Sequence, residues 1–475
     1  ISVSNSITKV GAGTLILSGQ NSYIGDTRIN RGAIELAPGG SINASPSITV
    51  DGSGQLTVRN ITNALKNAVN VWVKSGRVNL TNGVNYTAGV LVLSNDTKTA
   101  GTWGSSSSGA TYQDDTYFSG NGILTVSLDY FQTNIGSWAV DNSGSWRNAF
   151  NWTNQVIAYG ADRTAYFTNA ITVDRTITND YPALEIGNLS FNSPFPNAQN
   201  WIMTGNTVKL TNSAATPTIT VSSDTASTIT LLDSPQGIIK AGNGTLQIGT
   251  GGTAGWLPSD IAVSAGVLGF NRSDNVIFSN RITVTSGTGF KDAAGTLTLA
   301  HPGTNVLAVG GNDAYTIRNG KLVYPGGAGS ANRITGELVV GNSVGNSTSL
   351  DISNGTHLVS GYITLGKASG SGTGTNAVTL YNGTLNAGGI SLLGANATNV
   401  TARFSMIDGT LNMGDSGYGG YGSFTTNCPA GSTRQILLSG GTLGVMNNYV
   451  GSPVAIILTN SPGVGSITFR ASDTN

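Results

Sequence analysis

Short apolar stretches alternate with glycine and small polar residues along the whole chain, and one phrase of that pattern returns. Gly13-Thr14-Leu15-Ile16-Leu17 comes back as Gly244-Thr245-Leu246-Gln247-Ile248 and as Gly295-Thr296-Leu297-Thr298-Leu299. Each reads as a short alternating strand. Each is answered by a second phrase: Ile29-Asn30-Arg31-Gly32-Ala33-Ile34, Val263-Ser264-Ala265-Gly266-Val267-Leu268 and Ile317-Arg318-Asn319-Gly320-Lys321-Leu322. The glycines of the paired phrases lie 19, 22 and 25 residues apart, the length of one turn of a β-solenoid with variable corners.

The last third carries a sister pattern. Asn354-Gly355-Thr356, Asn382-Gly383-Thr384, Asp408-Gly409-Thr410 and Gly440-Gly441-Thr442 follow one another at glycine steps of 28, 26 and 32 residues. Between them Val340-Gly341, Leu365-Gly366 and Leu393-Gly394 recur after 25 and 28 residues. Two registers that keep one period predict coils whose inward Leu, Ile and Val stack on the same positions of the next coil, with glycine at the turns. The expected fold is all-β: an elongated, right-handed parallel β-helix in two consecutive arrays. With coils about 4.8 Å apart, a chain that was solenoid throughout would make on the order of twenty coils and a rod of roughly 90 Å. An array of antiparallel sandwiches also uses Gly-punctuated short strands and is the competing architecture.

Composition narrows the function more than the fold. The 475 residues include 67 Gly and only 10% charged residues, with 23 Lys and Arg against 23 Asp and Glu. No basic run is present to neutralise a string of phosphates, so nucleic acid is not an expected partner. Gly89-Val90-Leu91-Val92-Leu93 and Val454-Ala455-Ile456-Ile457-Leu458 are strand length, far short of a membrane-spanning helix, and no membrane insertion by this chain is expected. The one cysteine, Cys428, has no internal partner and reads as a small buried apolar residue. The chain starts at Ile1 with no leader, as a mature product or a fragment would.

The stretch Lys9-Val10-Gly11-Ala12-Gly13-Thr14-Leu15-Ile16-Leu17-Ser18-Gly19-Gln20-Asn21-Ser22-Tyr23-Ile24-Gly25-Asp26-Thr27, continued through Ile29 to Leu36, resembles the autotransporter-associated β-strand repeat, also called the passenger-associated transport repeat. Residues 238–270 and 295–323 resemble it more loosely, without a clean Asn-x-Tyr corner. Residues 112–126 resemble the closing segment of such an array, and Trp138, Trp146, Trp152 and Gly160 to Phe167 the opening of a new one. The resulting division is 1–129, a β-helix array with its closing segment; 130–235, a Trp-containing opening segment; and 236–475, further β-helix repeats, with a boundary near Leu128-Asp129-Tyr130. The resemblance implies a parallel β-helix displayed on or outside a bacterial cell, without catalytic activity or cofactor. The chain departs from an autotransporter in showing no long series of amphipathic barrel strands.

Parallel β-helices also carry polysaccharide lyases and hydrolases, which need clustered acids and bases. The one adjacent acid pair, Asp114-Asp115, sits in a turn-like stretch and reads as a corner feature. His301 and His357 have no carboxylate nearby in sequence, and neither reads as a base or a metal ligand. No catalytic residue, cofactor site or metal ligand is assigned; calcium held at a corner is the alternative left open. Asn-x-Ser/Thr triplets such as Asn60-Ile61-Thr62 and Asn188-Leu189-Ser190 are what an Asn-, Ser- and Thr-rich chain produces by chance, with glycosylation a secondary reading. Trp138, Trp146 and Trp152 could stack on sugars as an adhesin's rings do, or form a buried cap. Both ends alternate as strands, which makes Ile1, Val3, Ile7, Ile467 and Phe469 candidates for an end-to-end contact between copies. The expected role is structural: an extracellular surface protein that polymerises head to tail, with adhesion or a biofilm matrix as its service. The alternatives are a glycan-binding adhesin and a β-helical polysaccharide lyase or hydrolase.

Overall fold

A computed structural model of the protein describes residues 5–94, 96–127, 135–181, 184–194, 199–222, 225–253, 255, 259–310, 315–327, 329–342, 345–367, 370–392, 397–414, 424–426, 432–445, 456–458 and 468–471. Its regular structure is strand throughout, apart from two short 3-10 turns at Ala149–Asn151 and Thr153–Gln155. Among the described residues no helix is long and apolar enough to cross a membrane. The chain divides into two units, one of Ile1–Val140 with Gly144–Arg163, the other of Asp141–Ser143 with Thr164–Asn475. Both are β-solenoids.

In the first unit the strands Ile7–Lys9 and Thr14–Leu17 both lie parallel on Thr27–Leu36, which lies parallel on Ser47–Val58. Period two decides what goes inside. Leu15, Ile34, Leu56, Val78 and Phe118 fall in register as one inward column, and Leu17, Leu36, Val58 and Leu80 as another. Nearly all are buried, and each aliphatic side chain removed from water contributes about 2 kcal/mol. The parallel winding is interrupted locally. Leu93 and Asp96 pair across a hairpin, and Gly101–Gly104 runs antiparallel to Ile123–Val126. The reversal turns on Ser94, whose φ of 56° belongs to a tight hairpin turn and not to a solenoid corner. The parallel stack thus includes a local antiparallel insertion, while Phe118–Ser119 and Ile123–Val126 still lie parallel on earlier coils.

The second unit keeps its columns longer. Leu246, Leu268, Gly289, Tyr315, Leu338, Ile363, Ile390 and Phe424 stand in register on successive coils. So do Leu297, Leu322, Leu350, Val378, Phe404 and Ile436. Thr348–Leu365 and Thr375–Leu392 are each 18 residues long and turn corners without breaking. They do so at register shifts such as that between Ser353 and Thr356, where Asn354 takes a φ of 67°. Thr356, Thr384, Thr410 and Thr442 face one another in sequence, so the spaced Gly-Thr phrases are one column of turns. About 14 turns are made, fewer than the twenty expected of a chain that was solenoid throughout.

Candidate functional site

The paired phrases read from sequence are consecutive coils in direct register: Leu15 faces Ile34, Leu246 faces Leu268 and Leu297 faces Leu322. Each pair is joined at its first corner by a device that sequence reasoning missed. Lys9, Lys240 and Lys291 precede the glycine of the Gly-Thr-Leu phrase by four residues. Alternation places each of them inward: Lys240 stands in a column with Leu189, Ile219, Val263 and Val284, and Lys291 in one with Ile248, Phe270, Ile317 and Val340. The aliphatic stems fill the column, and the ammonium reaches the corner.

There the carbonyls of the turning backbone converge, the Gly244 oxygen also accepting the Val267 N–H at 3.1 Å. Lys240 Nζ donates to the carbonyl oxygens of Gly242, Gly244 (2.6 Å) and Ala265 (2.9 Å). Lys291 Nζ donates to those of Asp292 (3.1 Å), Ala293 (2.5 Å) and Asn319 (3.0 Å). Lys9 makes the same cage with Gly11 and, at 3.3 Å, with Arg31. Each cage therefore ties a coil to the next. Gly266 and Gly320 close it from above with φ of 76° and 69°. A Cβ at either position would stand 2.5 Å from the lysine nitrogen, so the site demands glycine. Lys240 is 0% and Lys291 2% exposed. Burial pulls both ammonium groups down to about 8. The available signal was the Lys-to-Gly spacing, masked because lysine in an alternating strand is ordinarily read as a solvent-facing residue.

The other candidates fall elsewhere. Trp138, Trp146 and Trp152 are 2%, 0% and 2% exposed, which corrects their assignment as sugar-stacking rings. Trp152 meets Trp138 and Trp146 edge-on, with centroids 5.4 and 5.1 Å away. Trp146 Nε1 donates to Ala158 O at 3.0 Å and Trp152 Nε1 to Trp146 O at 2.8 Å. Their segment is tied to the first unit by the Arg147–Asp96 ion pair of 2.7 Å and by Lys74 over the Phe150 ring at 4.1 Å. Asp114 accepts the Thr116 N–H at 2.9 Å, and Asp115 the Ser106 N–H at 2.8 Å. That backbone hydrogen bond is the largest influence holding the Asp115 carboxyl below the usual range. Both acids serve a turn. His301 Nδ1 accepts the N–H of Gly303 at 3.1 Å. His357 is inside, its Nε2 donating to Asn354 O at 2.7 Å and its Nδ1 accepting from Asn332 N at 3.2 Å.

Of the end-contact candidates, Ile7 pairs with Thr27 in the first coil and Phe469 with Leu443. Ile1, Val3, Ile467, Cys428 and the boundary at Leu128-Asp129-Tyr130 lie outside the described residues. On the first coil Val10, Ile16 and Ile24 are exposed. On the outer wall of the second unit, Ile239, Ala262 and Thr283 face each other on successive coils. They floor an open groove of about 270 Å³ edged by Gln236, Asp260 and Arg281. Asp260 Oδ1 accepts the Arg281 N–H at 2.8 Å, and the two side chains are 3.8 Å apart.

Comparison with known proteins bears out the resemblance. Residues 7–36 match the family model described as Passenger-associated-transport-repeat, and these are the residues that build the Lys9 cage and its two coils. The chain is 32% identical over 202 residues to a protein described as "Adhesin BmaC autotransporter" from Brucella suis biovar 1 (strain 1330). The match covers 41% of this chain and 5% of that protein, so the chain spans a small part of the length of the relative. No solved structure matches the chain.

Proposed function

We propose that the chain is a non-catalytic stretch of an extracellular bacterial adhesin, a stack of coils that holds a polar surface away from the cell. The observation that carries this reading is the passenger-associated repeat at residues 7–36, built as two caged coils, together with the likeness to an autotransporter adhesin. A stack with aliphatic columns inside and Thr, Asn and Gln outside lengthens without needing a larger core, which suits display. The test is to present the chain on a non-adherent bacterium and count cells retained on host-cell and matrix surfaces. Retention no greater than that of the empty strain would overturn the reading.

Two finer statements belong to the same proposal. Copies stack end to end: the first coil exposes Val10, Ile16 and Ile24, and its strands Ile7–Lys9 and Thr14–Leu17 both pair with Thr27–Leu36. Sedimentation showing one short species at all concentrations would rule this out. The second statement is that a glycan lies in the outer groove. Arg281 and Asp260 offer a donor and an acceptor to vicinal hydroxyls over a floor of Ile239, Ala262 and Thr283. Arg281→Ala and Asp260→Asn should abolish a glycan-array signal that Trp146→Phe leaves intact; retention of the signal in both groove variants removes the assignment.

A further inference from the structure

The Gly-Thr turns of the last third stack in one column, and at two of them, Asn382-Gly383 and Asp408-Gly409, the preceding residue bends its side chain back on the turn. Gly383 N–H donates to Asn382 Oδ1 at 2.7 Å, and Gly409 N–H donates to Asp408 Oδ1 at the same 2.7 Å one coil on. Asn382 is exposed, and its Nδ2 donates to Asn354 Oδ1 at 3.2 Å. Gly383 has a φ of 86°, and a Cβ there would stand 2.6 Å from the Asn354 carbonyl carbon. The column thus requires a glycine after Asn382, and glycine leaves its own nitrogen unshielded.

We propose that Asn382-Gly383 is a site of spontaneous deamidation in the folded protein. The Gly383 nitrogen, losing its proton, forms a bond to Asn382 Cγ; the Cγ–Nδ2 bond breaks and ammonia departs, leaving a five-membered cyclic imide. Water then opens the ring. Cleavage at Cγ gives aspartate, and cleavage at the Asn382 main-chain carbonyl gives isoaspartate. One water enters, one ammonia leaves, and no oxidant or reductant takes part. Three features favour the reaction at this place. The hydrogen bond holds the nucleophile beside Cγ and polarises the carbonyl it attacks. The exposed position lets water in. The aspartate product is already accommodated by the fold, because Asp408 holds the equivalent position with the same contact.

The chain has five other Asn-Gly pairs, beginning at Asn82, Asn121, Asn243, Asn319 and Asn354. Asn319 shares the contact, at 2.8 Å to Gly320 N, but its main-chain oxygen holds the Lys291 ammonium at 3.0 Å. Ring closure there would open a cage. The Asn354 side-chain oxygen accepts from Asn382 instead. Among Asn319, Asn354 and Asn382, only Asn382 combines the contact to the following N–H with a main-chain oxygen that holds no lysine cage. Conversion adds a carboxylate about one strand spacing, roughly 4.8 Å, from Asp408, and the isoaspartate form also lengthens the turn.

The experiment incubates folded protein at physiological temperature and mildly alkaline pH in heavy-oxygen water, then sequences peptides by mass spectrometry. The peptide containing Asn382 should convert several-fold faster than any of the other five and carry one heavy oxygen, with aspartate and isoaspartate both present. In denaturant that lead should vanish. Asn382→Gln should remove conversion at this position, while Asn382→Asp should fold with a melting temperature only slightly lowered. Asn382 converting no faster than Asn82 or Asn354 in the folded protein would overturn the proposal, as would failure of Asn382→Asp to fold.

Discussion

Two corners of the second unit meet the same demand by opposite means. Where the strands turn, main-chain groups converge on the interior. At one corner, Lys240 and Lys291 push an ammonium into the gap and each gathers three carbonyls from two coils. At the other, a neutral chain does the work. Asn305 Oδ1 accepts the Ile282 N–H at 2.9 Å, Asn305 Nδ2 donates to Asn332 Oδ1 at 3.0 Å, and Asn332 N–H donates to His357 Nδ1 at 3.2 Å, with Tyr324 stacked on the imidazole. Amides provide donor and acceptor together, so they can repeat from coil to coil. An ammonium only donates, so it suits a corner where several carbonyls converge. The difference is therefore one of charge, and it sets the pH window in which each corner responds: alkaline for Lys240 and Lys291, mildly acid for His357.

Removing one cage gives the largest expected effect. Lys240→Ala deletes both the stem that fills the column and the donors that satisfy the corner, and should destabilise the second unit by about 3–5 kcal/mol in urea unfolding. Lys240→Met keeps the stem and should lose less. Equal losses in the two variants would show that the ammonium contributes nothing and that the comparison rests on packing alone.

The pH response comes next. With the folded ammonium at about 8 and the unfolded one at 10.5, both states hold the Lys291 proton below pH 8. Between these values only the unfolded chain holds it, so stability rises with pH. Wild type should gain on Lys291→Met by up to roughly 3 kcal/mol between pH 8 and 10.5. The His357 corner responds with the same sign in a lower pH window. Burial holds its imidazole below the usual 6.5, and protonation would set an Nδ1–H against the Asn332 N–H. As pH falls below 6.5 the unfolded chain takes up the proton first, and stability should drop by at most about 1.4 kcal/mol per pH unit. Hydrogen exchange at mildly acid pH should open the amides around Asn332 and His357 before those around Lys240, and His357→Gln should flatten the slope. A flat profile in wild type through either window would undo the assignment of that window to its buried base.

Much of this was legible in the residues, and the reasons for the rest are physical. The Gly-Thr-Leu and x-Gly-x-Leu phrases became in-register partners because alternation fixes which side chains face in, and a coil length fixes which ones meet. The lysines went unread because period-two reasoning sorts by residue type, whereas a lysine can be apolar along its stem and charged only at its tip. Trp138, Trp146 and Trp152 were visible as a cluster, but whether rings face water or one another depends on the fold of residues 138–158, where turns and not periodicity set direction. The hairpin at Ser94 carries no glycine, so nothing marked the interruption of the parallel winding. The groove at Asp260 and Arg281 joins residues on separate coils, and its shape exists only after stacking.

The smallest effect expected is at a contact that belongs to neither corner. Lys321 follows Gly320 out of the cage, and its Nζ lies 2.5 Å from Asp351 Oδ2 on the next coil. It joins the same two coils' neighbours as the buried devices do, and at closer range than several of the cage bonds. Yet the Lys321 side chain is 40% exposed, so water already solvates the charge that the pair would neutralise. Lys321→Ala should change stability by about 0.5 kcal/mol, with the difference fading as salt is added. A loss comparable to Lys240→Met would mean that attraction along the outer wall, and not the satisfaction of inward carbonyls, holds one coil to the next.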